Sequence, residues 1–265
     1  MLKSTDIAGA WRTSPVTRVE PSELILITDF DGTLAEVVPD PARAVARPEA
    51  LAALQRLVQL IADVIVLSSR TPSDLEELVP ISGVRLVGDS GLALPRHAQR
   101  EALDRFNANV SRLLEQTPGT WLEVKPASSA IHFRKADISG EAMLALLQPL
   151  FDGARLSAAV GRKVIEVHAP KGGKGAFLAA YLPAEDPGGV VCFGDDENDR
   201  SVFEYVNSVD VPHMSVGVYS PEAPQDLFGL CDLVVSGPEE AARLLNEIAD
   251  WATSFPAEPS RPAVS

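Results

Sequence analysis

The sequence predicts an α/β protein: a parallel sheet with helices on both faces, carrying a smaller α+β module inserted within it. Two observations predict this. Short apolar, branched runs alternate with helical patterns, which is the mark of a parallel sheet covered on both sides. Between residues 95 and 167 that texture gives way to an amphipathic helix and closely spaced strands of alternating charge. The boundaries expected are therefore 1–94 and 168–265 for the main domain and 95–167 for the insertion, with 256–265 as a polar, proline-rich disordered tail.

The first run, Leu24-Ile25-Leu26-Ile27, reads as a strand buried on both faces and leads into Thr28-Asp29-Phe30-Asp31-Gly32-Thr33. A buried strand ending in two carboxylates requires something to stabilise them. The period of two along extended chain puts Asp29 and Asp31 on one side. Gly32 permits a sharp turn, and Thr33 offers a hydroxyl and an amide there. Such a pair suits a hard divalent cation such as Mg²⁺, with one Asp free to attack phosphorus while the other moves a proton.

Glu36 to Pro41 reads as a loop with two prolines, and Pro48 starts a helix through Leu57. Asp63 to Leu67 is a second buried strand, ending in Ser68-Ser69-Arg70, and Thr71-Pro72 opens another helix. Val84 to Val87 is a third strand, followed by Gly88-Asp89-Ser90-Gly91. In the insertion, a helix over 100–116 precedes strands at 121–125 and 130–134, a helix over 140–151 and a strand at 163–168. Pro170-Lys171-Gly172-Gly173-Lys174-Gly175 then leads into a helix, an arrangement whose amides favour anions, although it lacks the Walker A pattern. Val190 to Phe193 is a further strand, ending in Gly194-Asp195-Asp196-Glu197-Asn198-Asp199. Met214 to Val218 and Asp232 to Val235 read as two edge strands, and a helix over 239–254 closes the domain.

The formal net charge of −14 argues against a nucleic-acid partner, since phosphate backbones call for basic stripes. It leaves room for a small anionic substrate in a locally cationic cleft. No apolar run approaches the length of a membrane span, and Met1 to Pro21 carries no signal pattern. Cys192 and Cys231 are too few and too separated for a disulfide framework or a zinc site. A soluble, cytoplasmic protein is the expectation, with its oligomeric state left open.

DFDGT after an apolar strand resembles the first motif of the haloacid-dehalogenase (HAD) superfamily, and Ser68, Lys174 and Gly194-Asp195-Asp196-x-x-Asp199 stand where its later motifs belong. The resemblance implies a Rossmannoid core with a C2-type cap, Asp29 as nucleophile, Asp31 as acid/base, and Ser68 and Lys174 as partners of the phosphate. It also implies Mg²⁺ held by Asp29, Asp31 (through its carbonyl) and Asp195, with Asp196 and Asp199 as ligands or ligand-orienting residues. Lys174, followed by glycine, fits its motif better than Lys171.

Within that superfamily the chain is most similar to the trehalose-6-phosphate phosphatase family. DFDGTLAEVVPDPARA, LSSRTPSDL, KPASSAIHFRKA, VIEVHAPKGGKGAFL and GDDENDRSVFEYV carry the likeness. It implies that Lys125, His132, Arg134 and Glu166 on the cap grip the sugar and its phosphate, assisted from the core by Arg70. Two departures bear on the choice of sugar. Ser90 and Ala93 replace the His and Glu of the family's G.HG.E pattern, and His168-Ala169-Pro170 replaces Arg-Pro. A related phosphorylated disaccharide, pseudo-disaccharide or glycosyl-phosphoglycerate is the alternative substrate. A phosphotransferase or mutase within the superfamily, and a non-catalytic sugar-phosphate sensor, are the readings of other classes.

Overall fold

The computed structural model describes residues 6–92, 97–153, 155–169 and 172–256. Lys171, Ala93 and the tail from 257 lie outside the described residues. In chain order the elements are α1 Ile7–Thr13, β1 Leu24–Thr28, α2 Pro48–Leu57, β2 Asp63–Leu67, α3 Pro72–Leu78, β3 Arg85–Val87, α4 His97–Leu114, β4 Trp121–Val124 and β5 Ser128–His132. They continue with α5 Gly140–Leu147, β6 Ser157–Gly161, β7 Val164–His168, α6 Lys174–Glu185, β8 Gly189–Gly194, α7 Arg200–Val206, β9 His213–Val218, β10 Leu233–Val235 and α8 Gly237–Ser254.

The β-branched and leucine runs form a six-stranded, wholly parallel sheet in the order β10-β9-β8-β1-β2-β3. The period of two sorts each strand's residues between two cores. On β1, Leu24 and Leu26 face a cluster built with α1, α2 and α8, whereas Ile25 and Ile27 face one built with α6 and α7. Burial on both faces is why these strands read as continuous apolar runs. It also confines their charged groups to the strand ends.

β9 is not an edge strand as the sequence reading held. It pairs with β8 on one side and β10 on the other, and β10 and β3 form the edges. All but the first of its residues are buried, as an interior strand requires. Nor is the N-terminal stretch featureless. Asp6 caps α1, and Trp11 is fully buried, edge-on to Trp251 of α8 at 5.3 Å.

A separate four-stranded antiparallel sheet, β4-β5-β7-β6, lies between β3 and α6 in sequence. Its β6 escaped the sequence reading because Ser-Ala-Ala-Val-Gly lacks the branched and aromatic density of a strand. Alternation again divides the residues. Ile131, Phe133, Ile165 and Val167 pack with α4 and α5, among them the fully buried Phe106. Ala130, His132, Val164 and Glu166 face the opposite way and line a cavity against the parallel sheet.

Trp11→Ala is expected to lower stability by about 3–5 kcal/mol, as large aromatic truncations in a packed core do. Denaturant unfolding followed by circular dichroism would measure it, and a loss below about 1 kcal/mol would show that α1 is not part of the cooperative core.

Candidate active site

The order of the parallel sheet reverses between β1 and β8, because β1 to β3 run outward in one direction and β8 to β10 in the other. Ligands bind beyond the carboxyl ends of strands at such a switch point. Here it brings together the two acidic loops: Asp29 and Asp31 follow β1, and Asp195, Asp196 and Asp199 follow β8. Gly32 makes the meeting possible. Its φ is +81°, and a Cβ there would fall 2.0 Å from Asp195 Oδ2.

Asp29, Asp195 and Asp199 are each buried, and each offers a carboxylate oxygen within 4.8 Å of the others. Lys174, itself buried at the start of α6, donates to Asp29 Oδ1 and Asp199 Oδ1, both at 2.8 Å. Burial acts to lower the Lys174 pKa, but the two carboxylates more than offset this and hold it above its ordinary value. A single ammonium shared between two acids cannot neutralise all of them. Burial accordingly pushes Asp29 up to about 7 from the ordinary 3.8, Lys174 opposing and Asp199 reinforcing the shift. Asp195 is raised well above 3.8 for the same reason, with Arg162 opposing.

The remaining acids have different partners. Arg70 grips Asp31 with two nitrogens, at 2.7 and 2.8 Å, and also donates to the Pro41 carbonyl at 2.9 Å. Asp199 Oδ2 accepts the backbone amides of Asp195 and Asp196 at 3.0 and 3.3 Å. Both of its oxygens are thus committed, and it orients the loop. Asp196 accepts from the amides of Glu197 and Arg162. The chemistry of the donor set fits a hard divalent cation, because Asp195 Oδ1 is buried without a hydrogen-bond partner beside Asp29.

The cavity between the two sheets has a volume of about 550 Å³. Of the residues expected at the site, Asp29, Asp31, Arg70, Lys125, His132, Arg134, Glu166, Lys174, Asp195 and Asp196 line it. Ser68 does not reach the wall. It is fully buried at the end of β2, where its hydroxyl accepts the Arg70 amide at 3.3 Å, and its neighbour Ser69 takes the lining position.

The cap side is polar and largely self-paired. Lys125 and Glu166, both buried, lie 3.5 Å apart. Lys125 also donates to the Ser69 carbonyl at 2.5 Å, while Ser128 and Ser90 donate to Glu166 at 2.8 and 3.2 Å. Ser90, one of the departures noted in the sequence, is therefore tied to Glu166 across the two sheets. His132 pairs with Glu123 at 2.7 Å and stacks on Trp121, with ring centroids 4.6 Å apart. The hydrogen bond from His132, with burial opposing, lowers the Glu123 pKa. Arg134 donates to the carbonyls of Val38 and Arg162 at 3.1 and 3.2 Å.

Trp121, Glu123 and Arg162 line the cavity but were not foreseen. The first two were within reach of the sequence, since they precede Lys125 by four and two residues on one strand and so share its face. Arg162 sits in a turn whose position depends on β6, and nothing in the local sequence marks it.

A family model described as Trehalose-phosphatase matches residues 27–226 of this chain. The chain belongs to the trehalose-phosphatase family. A trehalose-phosphate phosphatase of Mycobacterium ulcerans is 32% identical over 198 residues, covering 67% of this chain and 50% of that protein. The chain spans about half the length of the curated mycobacterial relatives it matches. Among solved structures, the Candida albicans trehalose-6-phosphate phosphatase C-terminal domain superposes with a TM-score of 0.70 at 20% identity, covering 92% of this chain and 95% of that one. The C-terminal domain of a Candida albicans trehalose synthase regulatory protein does so at 0.65 and 18%, covering 90% and 97%. These likenesses bear out the fold, a parallel α/β core with a second, smaller α+β part.

The raised Asp29 carboxyl makes a prediction for metal-free protein. Folded Asp29 holds a proton that the unfolded chain releases near 3.8, so stability falls as pH rises from about 4 to about 7 and then levels off. Asp29→Asn is expected to make that fall shallower, as read from melting temperature against pH in chelator. Superimposable slopes would mean that Lys174 compensates Asp29 completely.

Proposed function

We propose that the protein is a Mg²⁺-dependent phosphatase that hydrolyses trehalose 6-phosphate to trehalose and phosphate through an aspartyl-phosphate on Asp29. The observation that carries this reading is the placing of Asp29 and Asp31 together in the wall of the cavity, beside the buried Asp195 and Lys174. Family membership supports the substrate class, and the polar cap wall of Glu123, Lys125, His132 and Glu166 suits sugar hydroxyls.

In this mechanism an Asp29 oxygen attacks phosphorus, the bond from phosphorus to the sugar oxygen breaks, and Asp31 gives that oxygen a proton. Asp31 then takes a proton from water as the water attacks the same phosphorus, releasing phosphate and restoring Asp29. Arg70 occupies both oxygens of Asp31, so each proton transfer requires that fork to loosen. Lys174 stands against Asp29 and offsets charge during attack. Bound Mg²⁺, held by Asp29, the Asp31 carbonyl and Asp195, would supply charge shielding for the phosphoryl oxygens. Asp199 and Asp196 keep the β8 loop in place. Ser68 acts through Arg70, whose amide it accepts. The cap sheet covers the cavity and keeps bulk water from the phosphoryl-enzyme.

The engagement of Glu166 by Ser90 bears on the choice of sugar, and a related phosphorylated disaccharide is the variant of this reading. Phosphate release should therefore be measured, with and without Mg²⁺, from trehalose 6-phosphate, sucrose 6-phosphate, glucose 6-phosphate and a glycosyl-phosphoglycerate. Trehalose 6-phosphate is expected to be preferred, and Asp29→Asn to reduce turnover by more than about a thousand-fold, as loss of a nucleophile does. Preference for another sugar phosphate would move the substrate and keep the mechanism. Binding without release, or transfer to a second sugar, would replace hydrolysis with sensing or phosphotransfer.

A further inference from the structure

The turn between β6 and β7 is where the cap meets the acidic loop after β8. It consists of Arg162 and Lys163, the latter in the left-handed region at φ 57°. The Arg162 amide donates to Asp196 Oδ2 and its guanidinium to Asp195 Oδ2, both at 2.5 Å. A Cβ on the preceding Gly161 would stand 3.0 Å from Asn198 Nδ2 and 3.2 Å from Asp196 Oδ2, so a larger residue there would push these side chains back by a few tenths of an ångström. The Arg162 and Asp195 side chains are only 8% and 3% exposed, which leaves the pair nearly free of solvent screening. Arg134 fixes the turn further, donating to the Arg162 carbonyl and to Val38 of the core.

This contact bears on the cation that the phosphatase reading requires, and the inference rests on that reading. A divalent ion on Asp29 and the free Oδ1 of Asp195 draws on a carboxylate whose Oδ2 Arg162 already holds. Two cations in a desolvated site repel strongly, because the local dielectric is far below that of water. Arg162 also retains an unused donor, since its Nε is buried without a hydrogen-bond partner. A phosphate dianion would supply negative charge for both cations to share and an acceptor for that donor.

We propose that Arg162 is a positioning residue carried by the cap, which competes with the metal ion for Asp195 and yields that carboxylate when phosphate arrives. Metal and phosphate then bind cooperatively, and since coupling is reciprocal each raises the other's affinity by the same factor. The cap turn thereby reports to the core that an anion is in place. A purely structural tie between cap and core would act differently: its removal would lower stability and leave metal affinity unaltered.

Isothermal titration of MgCl₂ into the full chain separates the two, using wild type, Arg162→Gln and Arg162→Lys, each with and without inorganic phosphate and without any sugar. Wild type is expected to bind Mg²⁺ roughly tenfold more tightly when phosphate is present, and Arg162→Gln to bind Mg²⁺ alone roughly tenfold more tightly than wild type. Arg162→Lys, which keeps the charge, is expected to stay near wild type, and phosphate to add little in Arg162→Gln. Unchanged or weaker Mg²⁺ binding by folded Arg162→Gln overturns the proposal while leaving the metal-dependent reading intact. Should that variant not fold, wild type alone decides, because a Mg²⁺ affinity indifferent to phosphate overturns it as well. Absence of Mg²⁺ binding in every protein, with or without phosphate, would remove the metal-dependent reading and this proposal together.

Discussion

The structure depends on an uncompensated charge. Three buried carboxylates, Asp29, Asp195 and Asp199, meet at the switch point of the parallel sheet, where the ends of β1 and β8 leave them little water. Carboxylates so placed must find cations or take up protons. Lys174 serves two of them and Arg162 the third, and Asp29 still rises to about 7. An acidic centre left short of positive charge has a donor set that fits a divalent ion. The same shortage draws a cap arginine inward, so the electrostatics of the core and the position of the cap form one problem.

The remaining cations are arranged around that centre with separate tasks. Arg70 holds Asp31 by a two-point grip and ties it to Pro41 in the loop that follows β1. Arg134 spans cap and core through two carbonyls. Lys125 is buried against Glu166 and reaches back to the Ser69 carbonyl. The Lys125–Glu166 pair is made in a poorly solvated place, where breaking one partner costs more than the pair itself contributes. Any polar ligand entering the cavity must therefore replace these contacts in kind.

Two sheets with different connectivity follow one rule of alternation. In the parallel sheet both sets of alternate residues are apolar, and polar chemistry is confined to the strand ends. In the cap sheet one set packs under α4 and α5, and the other, including His132 and Glu166, faces the cavity. The acidic groups of the cavity thus come from loops at the ends of the parallel strands, and the polar groups facing them from a strand face of the other sheet. Among the described residues no helix is long and apolar enough to cross a membrane.

The acidic loops, their order and the strands that carry them could be read from the chain because each is local. An apolar run marks a strand, and the polar residues that interrupt it lie at its end. Asp29, Asp31 and Asp195 were legible as cavity residues for that reason, Lys174 as the lysine that opens a helix after glycines, and Lys125, His132, Arg134 and Glu166 once their segments matched a family pattern. Relations between distant segments were not. That β9 lies inside the sheet, that Ser68 stands behind the wall, that Ser90 binds Glu166 and that Arg162 reaches Asp195 all follow from how the two layers face each other. Local sequence determines which residues end a strand. Only tertiary packing decides which buried charge each must answer, because a Coulomb interaction depends on distance and desolvation in space and not on separation along the chain.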